Sequence, residues 1–233
     1  RAVMLNAMVK PFTRCPVTGI LWYQGEADVS IADIYDDKLT ELVKTWRNEW
    51  DDDALPFLFV QLPNFMERTD SAVQKSSDWA RQREAQAKIL DLDNTGMAVT
   101  IDIGEAGDVH PKNKRDVGKR LALIAEHMIY GKELVYSGPV YKDFQISNDT
   151  VKVSFELFGS KLKIKGDQLK GFAIAGEDNQ FVKPLARIKN DMVYLSSDKI
   201  NNPVTVRYNW ADNPEGNLYN EEGLPAAPFR TDN

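Results

Sequence analysis

A polar turn directly after a short apolar run is the first place in this sequence where side chains could take part in catalysis. Residues 20–23, Ile-Leu-Trp-Tyr, have the bulky and β-branched side chains of a buried strand. They are followed by Gln24, Gly25, Glu26 and Asp28, which place one amide and two carboxylates at the end of that strand. Because open α/β sheets bind their ligands beyond the carboxyl ends of their strands, this turn is a candidate site.

His110 is the residue best suited to act as a base. It lies between a predicted strand and a predicted helix, and Asp102, Glu105 and Asp108 are near enough in sequence to orient its ring. A base on a strand-to-helix loop beside a carboxylate is an arrangement that hydrolases use. The alternative interpretation is a histidine at a helix start surrounded by solvated acids. The second histidine, His127, falls inside a predicted helix and is interpreted as structural.

The acidic residues permit two other chemistries. Asp102, Glu105, Asp108 and His110 offer oxygen and nitrogen ligands to a metal ion, although a catalytic zinc site usually has three protein ligands, often two of them histidine. Glu26 and Glu105 both follow predicted strands, and such a pair of carboxylates could act on a glycosidic bond. Nothing in the sequence fixes the distance between these two glutamates. We rank both alternatives below the hydrolase interpretation and predict neither a metal nor a cofactor.

The elements that carry these residues alternate between strand and helix over residues 1–135. Buried strands are predicted at residues 20–23, 55–62 and 96–103. Apolar residues at three- and four-residue steps, with Ser77 and Pro111 as start signals and Gly131 as an end signal, predict helices at residues 31–50, 78–90 and 111–130. This alternation predicts a mainly parallel sheet covered by helices.

Residues 136–233 follow a different pattern. Five short stretches of mostly alternating apolar residues are separated by Gly, Asn and Asp; they are TVKVSFEL, KLKIKG, GFAIAG, MVYLSS and PVTVRYNW. Such stretches are typical of antiparallel strands. The predicted fold class is therefore α/β, with a parallel sheet in residues 1–135 followed by a small antiparallel β-sandwich domain in residues 136–233.

The composition argues against several classes of protein. The formal net charge is −6 and no block of Lys and Arg is present, so we expect no nucleic-acid partner. No apolar segment approaches the ~20 residues needed to cross a bilayer. Cys15 is the single cysteine and permits neither an intrachain disulfide nor a Cys-rich metal site.

Several longer segments resemble one enzyme family. They are GILWYQGEAD, LPFLFVQLPNF, DWARQREAQ, NTGMAVTIDIGEAGDVHPKNKRDVGKRLALIA, YSGPVY and NPVTVRYNWADNPEGNLYNEEGLPAAPFRTDN. Together these segments are similar to the sialate O-acetylesterases, which are serine esterases of the SGNH type. The combination of WYQGE and HPKNK is specific, and the resemblance extends over essentially the whole chain. It implies a partial SGNH-hydrolase fold, with a flavodoxin-like parallel sheet, and the removal of O-acetyl groups from sialic acid or a related acetylated sugar.

The resemblance also implies roles for the residues of the two loops. Gln24 would supply a side-chain N–H to the oxyanion hole, and Gly25 would allow the chain to turn sharply beside the substrate. Glu26 would pin the loop rather than react.

His110 would be the base that takes the proton of the nucleophilic serine. The family often has an Asp three residues before this histidine, where this sequence has Gly107. Asp108, two residues before, is the carboxylate that we expect to orient His110; the alternatives are another carboxylate or a main-chain carbonyl, which would make the unit a dyad.

The block that carries the nucleophilic serine in this family is not found in the sequence. The opening RAVMLNAMVKPF resembles the helix just before the WYQGE strand, and none of Ser30, Ser71, Ser76 and Ser77 has the strand-turn-helix context of a nucleophile. We expect the chain to be inactive alone. We also expect an N-terminal part of the same enzyme, or another copy, to cover the open edge of the strand that ends at Gln24.

Two rival functions are suggested by other features of the sequence. The aromatic residues of YNWADNPEGNLY could stack on sugars in a non-catalytic carbohydrate-binding or assembly fragment, or could anchor the tail on the α/β part. A glycosidase that uses Glu26 and Glu105 is the enzymatic rival. By resemblance alone, the enzyme is expected to be secreted, periplasmic or lysosomal.

Overall fold

The computed structural model describes residues 3–69, 74 and 76–232. Ser71, one of the four serines considered as nucleophiles, lies outside the described residues. None of the described helices is long and apolar enough to cross a membrane.

Three parallel strands form the sheet of the first half. They are β1 (Ile20–Trp22), β2 (Phe57–Val60) and β3 (Thr95–Ala98), in the order β1-β2-β3. Ile20 is paired with Phe57, and Phe57 with Thr95, so the three strands end at the same edge. The predicted parallel sheet is confirmed, with shorter strands than the apolar runs suggested.

Three α-helices cover the sheet. They are α1 (Tyr35–Trp50), α2 (Asp78–Ala87) and α3 (Lys114–Met128), with 3-10 segments at Lys10–Phe12, Glu26–Ile34 and Lys88–Asp91 and a π-helical turn at Leu5–Val9. Ser77 caps α2 as predicted, because its side chain accepts a hydrogen bond from the N–H of Ala80 at 2.9 Å. The α3 helix begins later than Pro111 predicted. Asn113 is its cap and accepts from the N–H of Asp116 at 3.2 Å, whereas Pro111 is buried in the preceding loop.

The two faces of β2 show why the sheet holds its position. Phe57 and Phe59 pack with Ile20 and with the apolar side of α1, whereas Leu58 and Val60 pack against α3. All four side chains of β2 are buried, as expected for the central strand of a sheet covered on both faces. The carboxyl edge of the sheet is thereby held by two packed layers.

The second half is built from antiparallel strands, and this prediction is also confirmed. The strands are β4 (Val140–Ser147), β5 (Thr150–Glu156), β6 (Leu162–Ile164), β7 (Phe172–Ala175), β8 (Leu185–Lys189), β9 (Met192–Ser196), β10 (Thr205–Tyr208), β11 (Leu218–Asn220) and β12 (Phe229–Arg230). They form sheets in the orders β4-β5-β9-β8, β12-β10-β7 and β11-β6. The strands β4, β8, β11 and β12 are not apparent from the sequence pattern.

A buried arginine joins the two halves. Arg83 of α2 is fully buried and donates four hydrogen bonds of 2.7–3.0 Å to main-chain carbonyls, two after β2 and two after β10; these belong to Leu62, Pro63, Ala211 and Asp212. Burial lowers the pKa of Arg83 to about 9, so the guanidinium stays charged at neutral pH. Because a buried charge without partners is costly, this fork fixes the tail against the α/β part.

Candidate active site

Gln24 lies just beyond the carboxyl end of β1, as the sequence predicts. Its side-chain Nε2 donates a hydrogen bond to Oδ2 of Asp28 at 2.8 Å. The hydroxyl of Tyr35, at the start of α1, lies 3.0 Å from Gln24 Oε1 and 3.1 Å from the main-chain oxygen of Gln24. A primary amide has two N–H groups, so one N–H of Gln24 is left for another acceptor.

Gly25 is required by the backbone and by the space around it. Its φ of +153° lies in a region that side chains with a Cβ rarely adopt. A Cβ added there would approach Nε2 of Gln86 to 2.9 Å and Nε2 of Gln82 to 3.2 Å. The turn after β1 therefore packs directly on α2.

Gln86, on α2, holds the turn at Gln24 and was not identified from the sequence. It is almost completely buried, and its Nε2 lies 3.2 Å from the carbonyl of Gln24 and 3.3 Å from that of Val60. Its Oε1 accepts from the N–H of Leu62 at 2.8 Å. Gln82, Arg83 and Gln86 are all buried although they are polar. The sequence signal for these residues was the polar run ARQREAQ in a helix that covers the sheet.

Glu26 begins the 3-10 segment that follows the turn. Burial, and next the charge of Glu26, raises the pKa of the Tyr23 hydroxyl, so the carboxylate lies near that ring. The hydrogen bonds that anchor the turn within the described residues come from Asp28, Tyr35 and Gln86. The geometry thus gives Asp28 a contact with Gln24 that was not predicted for it.

His110 lies on an exposed loop held by the acids near it. The main-chain N–H of His110 donates to Oδ1 of Asp108 at 2.8 Å, and the same oxygen lies 3.9 Å from Nδ1 of the ring. Glu105 forms a β-bridge with Asp108, and its side chain accepts from the N–H of Lys112 at 2.9 Å. The imidazole is 86% exposed, so its ring is available to other groups.

The loops of Gln24 and His110 lie at the same edge of the sheet, because they follow parallel strands. Lys114, the first residue of α3, places its Nζ 4.7 Å from the centre of the Tyr23 ring. Tyr23 directly precedes Gln24, and Lys114 follows His110 by four residues. The contact therefore links the residue before Gln24 to the start of the helix that follows the His110 loop.

Asp102 does not share this environment. Its carboxylate forms a two-bond ion pair with Arg120, at 2.6 and 2.9 Å, and lies 3.2 Å from the hydroxyl of Tyr219. Burial, followed by the charge of Asp102, raises the pKa of that hydroxyl. Asp102 therefore links α3 to the β-rich half, and the described residues contain no cluster of three or more His, Cys, Asp or Glu side chains placed to hold a metal ion.

A cavity of about 590 Å³ opens between the two halves at this edge of the sheet. Asn64, Ile101 and Asp102 line it from the ends of β2 and β3, and Lys165 and Tyr219 line it from the β-rich half. Ligands of α/β proteins bind beyond the carboxyl ends of the strands, and clefts between domains are frequent binding sites. The β-rich half thus forms one wall of a cleft at the carboxyl edge of the sheet, and neither Gln24 nor His110 is among the residues that line it.

Comparison with known proteins identifies the family. Residues 3–127, more than half of the chain, match the family model described as carbohydrate esterase, sialic acid-specific acetylesterase. The chain belongs to this family. Both candidate loops, with Gln24 and His110, lie within the matched residues.

Individual relatives agree with this membership. Sialate O-acetylesterase of Mus musculus is 28% identical over 98% of this chain and 47% of its own length, and that of Homo sapiens is 26% identical over 98% and 48%. The crystal structure of a carbohydrate acetylesterase from Xanthomonas citri has 44% identity and a TM-score of 0.92, and the match covers 98% of this chain and 54% of that one. The chain spans about half the length of these relatives. The resemblance to sialate O-acetylesterases and the α/β fold of SGNH type are confirmed.

Proposed function

We propose that this chain is part of a serine-type carboxylic-ester hydrolase that removes O-acetyl groups from sialic acid or a related acetylated sugar. The observation that carries the proposal is the amide of Gln24, which is held at the carboxyl end of β1 with one N–H uncommitted, on the same sheet edge as His110. Membership of the acetylesterase family supports the choice of an acetyl ester as the reacting group. The term "complete enzyme" denotes this chain together with an N-terminal region that supplies the serine.

The chemistry assigns a role to each of three side chains. His110 accepts the proton of the serine hydroxyl as the serine oxygen attacks the acetyl carbonyl carbon, and it then protonates the departing sugar oxygen. The free N–H of Gln24 donates to the oxyanion of the tetrahedral intermediate, whose charge is greatest near the transition state. Asp108 orients the imidazole; its 3.9 Å separation from Nδ1 would shorten in the substrate complex, as hydrogen bonds of catalytic groups often do. Water then attacks the acetyl-serine, with His110 accepting the proton of the water and returning it to the serine oxygen, so that acetate is released and the serine is restored.

The open edge of β1 is evidence for an additional segment that pairs with this strand. Within the described residues, β1 pairs with β2 alone, and Leu21 is 63% exposed. Because open strand edges recruit other strands, we propose that an N-terminal region, or another copy of the chain, covers this edge.

The positions of the described serines favour a nucleophile that comes from outside this chain. No described serine hydrogen-bonds to His110. Ser77, for example, is buried at the start of α2, where its hydroxyl donates to Asp212 at 2.6 Å and caps the helix. We therefore expect the chain alone to lack serine-dependent esterase activity.

The test compares the chain alone with the complete enzyme. Both are incubated with an O-acetylated sialic acid and with a fluorophosphonate that labels activated serines. We expect acetate release and labelling from the complete enzyme, with neither from the chain alone. Labelling of a serine within this chain would refute the proposed position of the nucleophile. A folded complete enzyme that binds the sugar without releasing acetate would indicate a binding protein, and cleavage of a glycosidic bond would indicate a glycosidase.

A further inference from the structure

The side-chain amide of Gln24 has a donor end and an acceptor end that are almost identical in shape. Only the donor end can stabilise an oxyanion, because the carbonyl oxygen would repel it. A glutamine rotates easily about its last torsion, which has two nearly equivalent states. An enzyme that uses glutamine in this role therefore needs groups that distinguish the two ends of the amide.

Two side chains distinguish these ends in the structure. The carboxylate of Asp28 is 2.8 Å from Nε2 of Gln24 and, when ionised, can only accept hydrogen bonds. The hydroxyl of Tyr35 is 3.0 Å from Oε1 and 3.1 Å from the main-chain oxygen of Gln24, so both of its contacts with Gln24 are with oxygen atoms. The side chains of Trp22 and Gln86 also interact with this hydroxyl. Rotating the amide by half a turn would place Oε1 against the carboxylate of Asp28, with two acceptors in contact.

We propose that Asp28 and Tyr35 are positioning residues that lock the amide of Gln24 with its donor end towards the reacting ester. This inference rests on the proposed function, because it concerns the same oxyanion hole. Asp28 selects the orientation, since the reversed amide has no donor for it. Tyr35 supports the choice less strictly, because a hydroxyl is also able to accept a hydrogen bond.

The surroundings of Tyr35 suit this role. The residue is only 3% exposed, and burial raises the pKa of its hydroxyl to about 12. The hydroxyl therefore keeps its proton, and remains a donor, at any pH at which the enzyme would work. Asp28 is tied into the same turn, because its N–H donates to the carbonyl of Gly25 at 3.1 Å.

The kinetic test uses four variants of the complete enzyme. Asp28→Leu removes the acceptor, Asp28→Asn keeps an oxygen acceptor without the charge, and Tyr35→Phe removes only the hydroxyl. The control is Asp33→Leu, which alters an exposed acid of the same 3-10 segment that pairs with Arg81. We expect Asp28→Leu to lower kcat about 100-fold with KM within twofold and Tyr35→Phe to lower it about tenfold. Asp28→Asn should fall between wild type and Asp28→Leu, because its amide offers Gln24 a donor as well as an acceptor and so does not select one orientation.

A second measurement does not depend on activity. The two N–H signals of the Gln24 side chain, assigned by their loss in Gln24→Ala, report hydrogen exchange of the amide by NMR. We expect slow exchange of one N–H in the wild type and exchange at least about tenfold faster in Asp28→Leu. Fast exchange in the wild type, or equal kcat in wild type and Asp28→Leu, would overturn the inference. A clamped amide in a folded enzyme without esterase activity would instead refute the proposed function and leave the orientation of Gln24 established.

Discussion

The two loops of the candidate site are held in different ways. The turn at Gln24 is packed on α2 and bound by Asp28, Tyr35 and Gln86, so the position of its amide is set by contacts within the chain. The loop at His110 is fixed through its backbone, while the imidazole is 86% exposed and has one carboxylate oxygen 3.9 Å away. The amide of Gln24 is therefore held by contacts before substrate arrives, whereas the imidazole of His110 lies mostly in solvent.

This difference fits the roles that we propose for the two groups. A donor that stabilises charge in the transition state is most effective when it needs no reorganisation at the moment of reaction. A base that takes a proton from one group and returns it to another must adjust its ring between two partners. We therefore expect substitutions at the Gln24 turn to affect both turnover and folding, and those at the His110 loop to affect turnover alone.

The largest effect is expected at His110. His110→Ala in the complete enzyme should lower kcat roughly 10⁴-fold, because it removes the proton transfer that activates the serine. The melting temperature should stay within about 1 °C, since the ring is exposed. The control is His127→Ala, which should have wild-type turnover. In the unchanged protein the ring of His127 stacks on Tyr136, with 4.0 Å between the ring centres. Equal activity in wild type and His110→Ala would show that His110 is not the catalytic base.

Gln24→Ala is expected to have the next largest effect. Loss of one oxyanion donor should lower kcat on the order of 100- to 1000-fold, with little change in KM, because the donor acts on the transition state. Steady-state kinetics on an acetylated sugar provide the measurement. A change confined to KM would make Gln24 a substrate-binding residue instead.

Asp108→Asn should have a smaller effect. The Asn oxygen can still accept from the N–H of His110, so the substitution removes the charge and retains the loop contact. A hydrogen bond to a charged group contributes about 1.5–3 kcal/mol, which corresponds to a loss of roughly 10- to 150-fold in kcat. Full activity in Asp108→Asn together with a loss in Asp108→Ala would show that Asp108 holds only the backbone.

The smallest effect concerns stability and compares a glycine from each loop. Gly25→Ala should lower the free energy of unfolding by about 1–3 kcal/mol, because its φ of +153° and its contact with Gln86 both oppose a Cβ. Gly107→Ala, on the His110 loop, meets nothing within 4 Å and should change stability by less than about 0.5 kcal/mol. Thermal unfolding of both variants checks this, and similar melting temperatures would contradict the difference in rigidity between the two loops.

Local patterns were sufficient for much of the α/β half. Apolar runs predicted all three parallel strands, and the spacing of Leu39 and Val43 in α1 predicted a helix that packs on them. The start of α3 was misplaced because Pro111 and Asn113 are both good start signals, and only the loop that buries Pro111 decides between them. In the β-rich half, β11 and β12 are two or three residues long, which is too short for an alternating pattern to be read.

The sequence by itself determined which residues have the right chemistry, because residue type and position after a strand depend only on neighbours along the chain. It singled out Gln24, Gly25 and His110, and it indicated the family. Only the tertiary structure showed that Gln86 holds the Gln24 turn from 62 residues away and that Arg83 joins α2 to a segment 128 residues away. Such contacts depend on how distant elements pack, and no local spacing records that packing.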